Sequence, residues 1–131
     1  QEISCRGKQV LLVEDNELNL EIAVELLKYA GLNITTAKNG LEGLDKFKAA
    51  PPGTYALILM DIQMPVMNGL EAAKAIRALP VKDAQTVPIV AMTANAFPED
   101  IAATLQAGMN EHLSKPIDLE QFHSILQKWC Q

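Results

Sequence analysis

Short runs of apolar residues alternate along the chain with longer stretches in which apolar residues recur every three or four positions. Three of the runs are continuously apolar and are followed at once by polar residues, which is typical of parallel strands buried on both faces. A weaker run with edge-strand character and a short fifth run complete the series. The predicted strands are Val10–Val13, Ile34–Ala37, Leu57–Met60, Ile89–Met92 and His112–Ser114.

Segments with helical periodicity and recognisable helix boundaries follow these runs. Asn16 is placed to cap the first helix and Gly31 to end it. Pro98 suits the first turn of a later helix, and Asp118 with Gln121 resembles a capping box for the last one. The predicted helices are Glu17–Ala30, Leu41–Ala49, Leu70–Leu79, a helix from Pro98 that Gly108 closes, and one that follows Pro116.

This alternation of about five strand–helix units predicts an α/β fold. We expect a single doubly wound, five-stranded parallel sheet with helices on both faces. For a chain of 131 residues, the flavodoxin-like strand order 2-1-3-4-5 is the natural candidate. The length fits one domain. We expect residues 8–131 to form it, with residues 1–7 as a linker or N-terminal extension.

Composition and charge exclude several kinds of function. Acidic residues outnumber basic ones, 16 to 11, which argues against non-specific binding of nucleic acid by this domain. Cys5 and Cys130 form no CxxC or Cys/His cluster, so we expect reduced thiols and no zinc site. No apolar run approaches the roughly 20 residues of a membrane helix. We therefore expect a cytoplasmic domain without membrane contact, although its parent protein can be membrane-bound.

Polar residues stand where the predicted strands end. The first strand is followed by Glu14 and Asp15, the third by Asp61, the fourth by Thr93 and the fifth by Lys115. Ligands bind outside the carboxyl ends of parallel strands, and strands one and three are neighbours in the expected order. Three carboxylates then meet at one edge. At ~4 Å and an effective dielectric near 20, each pair costs about 4 kcal/mol, so protonation, the lysine or a cation must compensate.

A hard dication such as Mg²⁺ suits a site with few carboxylates and open positions for water and phosphate oxygens. Lys115 adds positive charge, and Thr93 adds a hydroxyl donor. Around one carboxylate, these groups describe a site for phosphoryl transfer onto Asp61. Taken singly, each residue also fits a structural role, such as a helix cap, a turn or a surface lysine. Their joint placement at one edge favours the site.

The segments VLLVEDN, LILMDIQMPVMNG, VAMTA and LSKP resemble the signature of response-regulator receiver domains of two-component systems. The resemblance covers about residues 8–128, and its four motifs occur in order at compatible spacings. It implies a phosphoacceptor aspartate, three protein ligands to Mg²⁺ besides it, and two residues that contact the phosphoryl group. The phosphoacceptor is Asp61. The further metal ligands are Glu14, Asp15 and the backbone carbonyl of Gln63, and the residues that contact the phosphoryl group are Thr93 and Lys115.

The resemblance also implies a conformational switch, in which Thr93 moves toward the phosphoryl group. A residue three before the lysine turns inward with it; this position is often aromatic, and here it is His112. Residues two after the aspartate and two after the threonine, Gln63 and Asn95, are expected to tune dephosphorylation. The Lys115–Pro116 bond is expected to be cis.

The wording of the motifs VEDNELN, DIQMPVMNGLEA and AMTANA is most similar to receivers attached to hybrid sensor histidine kinases. That subtype implies phosphoryl transfer between a histidine kinase core and a histidine phosphotransfer domain. Such a domain catalyses its own phosphorylation and dephosphorylation and is not a turnover enzyme. One departure is the pair Glu14-Asp15, where many receivers have two aspartates; the longer glutamate can reach the metal through water.

Three other functions use a related fold or site. A haloacid-dehalogenase-like phosphatase also uses an aspartate, Mg²⁺, a hydroxyl residue and a lysine, but its nucleophile follows the first strand in a DxD pattern. Here that place reads Glu14-Asp15-Asn16-Glu17. A flavin-binding module needs a loop rich in Ser, Thr and Gly where this chain is acidic. A docking-only pseudo-receiver has no need of an intact acidic site.

Overall fold

The computed structural model describes residues 7–94, 98–115 and 119–129. Within them, five parallel strands form one sheet in the order β2-β1-β3-β4-β5. This confirms the predicted fold class and strand order, with β2 and β5 at the edges. The strands are β1 (Gln9–Val13), β2 (Asn33–Ala37), β3 (Tyr55–Asp61), β4 (Ile89–Thr93) and β5 (Glu111–Ser114).

The five predicted helices are present, and a sixth, short helix was not predicted. The third helix ends at Arg77, two residues before the predicted Leu79. The helix that begins at Pro98 ends at Gln106, and Gly108, which was predicted to close it, has a φ of +97° two residues later. Asp118 of the predicted capping box lies outside the described residues. The helices are α1 (Glu17–Tyr29), α2 (Gly40–Ala49), α3 (Gly69–Arg77), α4 (Lys82–Thr86), α5 (Pro98–Gln106) and α6 (Leu119–Trp129).

The sheet separates two apolar cores. On β3, Ile58 and Met60 belong to the core that α2, α3 and α4 cover, whereas Leu57 and Leu59 belong to the core beneath α1 and α6. This alternation follows from the two-residue period of a strand. Burying each such side chain contributes about 1.5–3 kcal/mol. The continuously apolar strands therefore keep the register that brings their polar ends to one edge.

Asparagine side chains start three of the helices at this edge. Asn16, Asn39 and Asn68 each accept a hydrogen bond, 2.8–2.9 Å long, from the backbone N–H three residues further on. In turn, the carboxylate of Glu71 accepts a 3.0 Å hydrogen bond from the backbone N–H of Asn68, which completes a capping box. Such caps typically contribute about 1 kcal/mol each. They allow short connections, so the strand ends stay accessible.

No described helix combines the length and the apolar character that crossing a membrane requires.

Candidate functional site

Three carboxylates meet at the carboxyl edge of the sheet. Val13 pairs with Met60 in the parallel register of β1 and β3, so the residues that follow them lie side by side. Carboxylate oxygens of Glu14, Asp15 and Asp61 lie within 4.8 Å of one another. Glu14 and Asp61 are only 2% and 3% exposed, whereas Asp15 is exposed. Hard oxygen ligands in this number are what a small dication requires.

Lys115 joins the two buried carboxylates. Its Nζ lies 3.0 Å from Oε1 of Glu14 and 3.0 Å from Oδ1 of Asp61, and its side chain is 18% exposed. Lys115 directly follows β5, and its backbone N–H donates a 2.8 Å hydrogen bond to the carbonyl of Thr93 at the end of β4. This bond holds the lysine at the edge of the sheet. The cluster thus contains three carboxylates and one ammonium group, which leaves it with an excess of negative charge when all are ionised.

Burial, the lysine and the neighbouring carboxylate together shift the pKa values of Asp61 and Lys115. Burial raises the pKa of Asp61 to about 7; the hydrogen bond from Lys115 opposes the rise, and the charge of Glu14 adds to it. Burial works to lower the pKa of Lys115, but its hydrogen bonds to Asp61 and Glu14 outweigh burial and raise that pKa. The lysine therefore remains a cation, while Asp61 holds its proton more tightly than an exposed aspartate does.

Glu14 is held at both oxygens. Oε1 contacts Lys115, and Oε2 accepts a hydrogen bond of 3.1 Å from the backbone N–H of Asn16. This anchoring fixes the longer side chain at the strand end, where the shorter Asp15 is left exposed beside it. The pair consequently offers one fixed and one solvent-facing carboxylate to the same space.

The remaining predicted residues are arranged around this cluster. Thr93 ends β4 and is 9% exposed; Gln63 is exposed in the loop after β3. His112 is half-buried on β5 and lines a small cleft together with Thr93. Asn95 and the proline of the Lys115–Pro116 bond lie outside the described residues, so those two expectations stay predictions.

The loop between β3 and α3 has a tight conformation that the sequence analysis missed. Val66 has a φ of +70°, and the N–H of Met67 donates a 2.7 Å hydrogen bond to the carbonyl of Pro65. These two features define a γ-turn. A valine is an unusual residue at positive φ, so residue preferences give no signal for this turn.

Two glycines allow this loop to pack closely. A side chain on Gly69 would overlap the backbone carbonyl oxygen of Asp61, and one on Gly40 would overlap that of Met67. The N–H of Gly40 donates a 2.9 Å hydrogen bond to the same oxygen of Met67. Each glycine directly precedes a predicted helix, and the sequence analysis assigned neither of them a further role. Their proximity to the acidic cluster depends on tertiary packing.

Known proteins with similar sequences lead to the same assignment of the fold and the acidic edge. The sequence profile of the family described as "Response regulator receiver domain" matches residues 10–127. The peroxide stress-activated histidine kinase mak1 of Schizosaccharomyces pombe is 38% identical over 121 residues, which is 92% of this chain and 7% of that kinase. The chain thus spans a small part of this curated relative.

Solved structures show the same fold. The receiver domain of sensor histidine kinase PA1611 from Pseudomonas aeruginosa, solved with a magnesium ion in its active-site cleft, is 37% identical with a TM-score of 0.85, covering 95% of this chain and 98% of that one. The Saccharomyces cerevisiae Ssk1 receiver, co-crystallised with the phosphotransfer protein Ypd1, is 33% identical with a TM-score of 0.83 over 95% and 90% of the two chains. With its sheet order, its acidic edge and these relatives, the chain belongs to the response-regulator receiver domain family.

Proposed function

We propose that this domain accepts a phosphoryl group from a phosphohistidine onto Asp61 and passes it on within a phosphorelay. The observation that carries the proposal is the buried Asp61 carboxylate, which lies within 4.8 Å of two further carboxylates and 3.0 Å from the Lys115 ammonium. An aspartate with a purely structural role would not be stabilised by two neighbouring carboxylates. For a phosphoacceptor, the same neighbours provide ligands for a metal ion and a cation in a fixed position.

Mg²⁺ fits the residues at this edge. The cluster offers hard oxygen donors and has more negative than positive charge, which a dication would offset. We assign the ligand positions to Glu14, Asp15, Asp61 and the backbone carbonyl of Gln63. When bound, the ion supplies positive charge to the oxygens of a transferring phosphoryl group. The relative from Pseudomonas aeruginosa that was solved with magnesium in its cleft supports this choice of metal.

The chain's own residues perform the transfer as follows. An oxygen of the ionised Asp61 attacks phosphorus in line, the bond from phosphorus to the donor histidine nitrogen breaks, and an acyl phosphate forms. Lys115 pairs with one phosphoryl oxygen, and the hydroxyl of Thr93 donates to another. Water later hydrolyses the acyl phosphate, at a rate that Gln63 and Asn95 tune. The domain is therefore a self-modifying protein that is restored by hydrolysis or onward transfer.

A phosphotransfer partner suits the surface beside the site. α1 begins two residues after Asp15, and its Leu18 and Ile22 are 65% and 45% exposed. Residues four apart lie on the same face of a helix, so this apolar pair is presented next to the acidic edge. A helical histidine phosphotransfer domain can cover the pair while its histidine reaches Asp61. The Ssk1 receiver, which was co-crystallised with the phosphotransfer protein Ypd1, supports such a partner.

The similarity to a kinase of which this chain matches only 7% supports a larger context. We infer that this chain is a segment of a hybrid sensor histidine kinase, in which residues 8–131 form the receiver domain and residues 1–7 belong to a linker. We also infer that the domain works in the cytoplasm. The kinase core of the same polypeptide would then be the phosphoryl donor, and the phosphotransfer domain the acceptor.

Intact mass spectrometry after incubation with Mg²⁺ and acetyl phosphate tests the proposed function. We expect the wild type to gain the mass of one phosphoryl group, and expect a chelator to abolish the gain. Asp61→Asn should gain nothing, while Asp45→Asn, a change at an exposed aspartate of α2, should label like the wild type. Equal labelling of Asp61→Asn, or no labelling of a wild type that binds Mg²⁺, would contradict the proposal.

A further inference from the structure

The backbone of the loop between β3 and α3 is fixed at its two ends. The N–H of Ile62 donates a 3.1 Å hydrogen bond to the carbonyl of Met92 in β4. The N–H of Gly69, at the start of α3, donates a 2.8 Å hydrogen bond to the carbonyl of Ile62. Residues 63–68 therefore leave the edge of the sheet and return to it. They include Gln63, whose backbone carbonyl we assign as a ligand of the metal.

The second half of this loop is held by a helix outside it. The N–H of Gly40, the first residue of α2, donates a 2.9 Å hydrogen bond to the carbonyl of Met67. N–H groups in the first turn of a helix have no acceptor within that helix, so this donor is available to another element. Asn39 caps the same turn by accepting a 2.8 Å hydrogen bond from the N–H of Glu42. α2 thus begins regularly and also anchors the loop.

This bond requires that residue 40 has no side chain. A Cβ on Gly40 would overlap the carbonyl oxygen of Met67 and lie 3.0 Å from that of Asn68. Both oxygens belong to the backbone, which cannot rotate away as a flexible side chain does. Gly40 does not have a positive φ, so its conformation does not need glycine, and glycine lowers helix stability relative to alanine. The close approach of the loop therefore accounts for the glycine.

Side-chain packing alone does not fix the backbone of the loop. Met64 and Met67 are partly buried against the core that α2, α3 and α4 cover. Methionine side chains are unbranched, have three rotatable bonds and adapt to shifts of their surroundings. Their packing keeps the loop on this face of the sheet. The detailed position of its backbone then depends on the hydrogen bonds.

A shift at Met67 is transmitted to Gln63 because the segment between them is stiff. The ring of Pro65 fixes its φ, and the γ-turn at Val66 joins the N–H of Met67 to the carbonyl of Pro65 at 2.7 Å. The φ of +70° at Val66 is strained for a β-branched residue, so the turn persists only while its neighbours hold it. Loss of the anchor at Gly40 would let the turn relax and would move the carbonyl of Gln63.

We propose that Gly40 is a positioning residue for the magnesium site. Its N–H and its lack of a side chain hold the loop after β3 in the position at which the carbonyl of Gln63 completes the ligand set. This inference deepens the proposed function, since it rests on the assignment of that carbonyl as a metal ligand. Gly40 acts only through the loop and has no contact of its own with the reacting groups.

The expected defect is a weaker affinity for Mg²⁺ and not its loss. Mg²⁺ demands near-ideal octahedral geometry with short bonds to oxygen, so a small displacement of one ligand weakens binding. The carboxylates of Glu14, Asp15 and Asp61 stay in place, because the register of β1 and β3 positions them. Groups that orient a metal ligand from outside the ligand set typically contribute about 10–100-fold to metal affinity.

Calorimetric titration with Mg²⁺ tests this role in Gly40→Ala, with Gly43→Ala as the matched control. Gly43 is a buried glycine of the same helix, but a Cβ there would lie 2.8 Å from Cγ2 of Val13 in the core and not against the loop. We expect both variants to lose stability in urea, whereas only Gly40→Ala loses Mg²⁺ affinity, by about tenfold. Wild-type affinity in Gly40→Ala, or an equal loss in Gly43→Ala, would overturn the proposal.

Gly40→Pro removes the donor in addition to introducing a side chain. Proline suits the first position of a helix, and Asn39 already has the extended conformation that a following proline requires, with φ −158° and ψ 173°. α2 should therefore still form, which circular dichroism checks. We expect a loss of Mg²⁺ affinity at least as large as that of Gly40→Ala. Wild-type affinity in this folded variant would contradict the role of the hydrogen bond.

Labelling by acetyl phosphate separates a defect in metal binding from a general one. For Gly40→Ala, the Mg²⁺ concentration that gives half the maximal labelling rate should rise about tenfold, while the rate at saturating Mg²⁺ approaches that of the wild type. A lower maximal rate with an unchanged Mg²⁺ dependence would overturn the positioning role. If no protein forms an adduct at Asp61 but Gly40→Ala still binds Mg²⁺ more weakly, the proposed function fails and the positioning role stands.

Discussion

At the scale of single residues, the strand ends carry information that a sequence can reveal, because the chemistry of each residue and its place after a strand are both visible. Glu14, Asp15, Asp61 and Lys115 were expected to meet, and they do. The γ-turn at Val66 was not expected, since nothing in its residue type favours positive φ. It depends on how the loop packs, which no local pattern records.

Replacing Val66 by glycine should stabilise the domain. Val66 is 76% exposed, so its side chain contributes little burial, while its φ of +70° is strained for a β-branched residue. Relief of a strain of about 1–3 kcal/mol, less the greater entropy of glycine in the unfolded chain, should raise the free energy of unfolding by about 1 kcal/mol.

Urea denaturation measures this change, and Val81→Gly is its matched control. Val81 is also exposed, at 41%, but has an ordinary φ of −134°. The same substitution should therefore destabilise the domain at Val81. A loss of stability at both positions would show that the loop carries no strain.

At the scale of elements, short apolar runs predicted the five strands, and apolar periodicity together with helix-boundary residues predicted five helices. The missed helix α4 has a different basis. It has one buried residue, Ala84, and its carbonyl accepts a 3.1 Å hydrogen bond from Arg77, which also donates to Gly108 and Asn110. A helix of five residues that is held by an arginine outside it is too short to show a detectable period.

Glu111 ties α6 to the edge strand β5 and should make the stability of the domain depend on acid pH. It accepts hydrogen bonds from Lys128 at 2.9 Å and Trp129 at 2.8 Å. Burial works to raise the pKa of Glu111, but these two bonds prevail and hold it below its usual 4.5. The stabilisation is therefore present above about pH 4.5 and is lost as the pH falls through the lowered value.

We expect Glu111→Gln to lower the free energy of unfolding by about 1 kcal/mol at pH 7, a modest value since Lys128 is exposed. Near pH 3 the variant and the wild type should differ much less. Urea denaturation at both pH values measures this difference, with Glu25→Gln, a change at an exposed glutamate of α1, as the control. An equal deficit at both pH values would mean that the glutamate acts through packing and not through its charge.

At the scale of the whole molecule, the site that we propose for phosphorylation works against the stability of the fold. The sheet order and the meeting of its polar ends could be predicted from strand–helix alternation, because connectivity rules restrict the possible topologies. The balance of charge within the site could not, since it depends on burial that only the folded chain creates. Three carboxylates and one ammonium are held together there by the cores below.

In metal-free protein, Asp61→Asn should therefore be more stable than the wild type. The pKa of Asp61 rises from 3.8 to about 7 on folding, so its ionisation destabilises the fold increasingly as the pH rises through that range. At pH 8 with a chelator, we expect the variant to gain about 1–3 kcal/mol. At pH 4 the gain should nearly vanish.

Thermal denaturation at the two pH values, with and without Mg²⁺, checks this expectation. Saturating Mg²⁺ should stabilise the wild type more than the variant and so reduce the gain. Asp45→Asn provides the exposed control and should match the wild type throughout. A variant less stable than the wild type at pH 8 would indicate that Asp61 contributes hydrogen bonds worth more than its charge costs.

The two cores on either side of the sheet have a consequence for how the chain can diverge. Side chains such as Leu27 of α1 and Ile76 of α3 belong to different cores. Substitutions in separate cores should add in their effect on stability, because they share no neighbours. Helices on the α1 side can therefore accumulate changes that suit a new partner. The packing of α2, α3 and α4 against the other face of β3, which carries Asp61, is not altered by those changes.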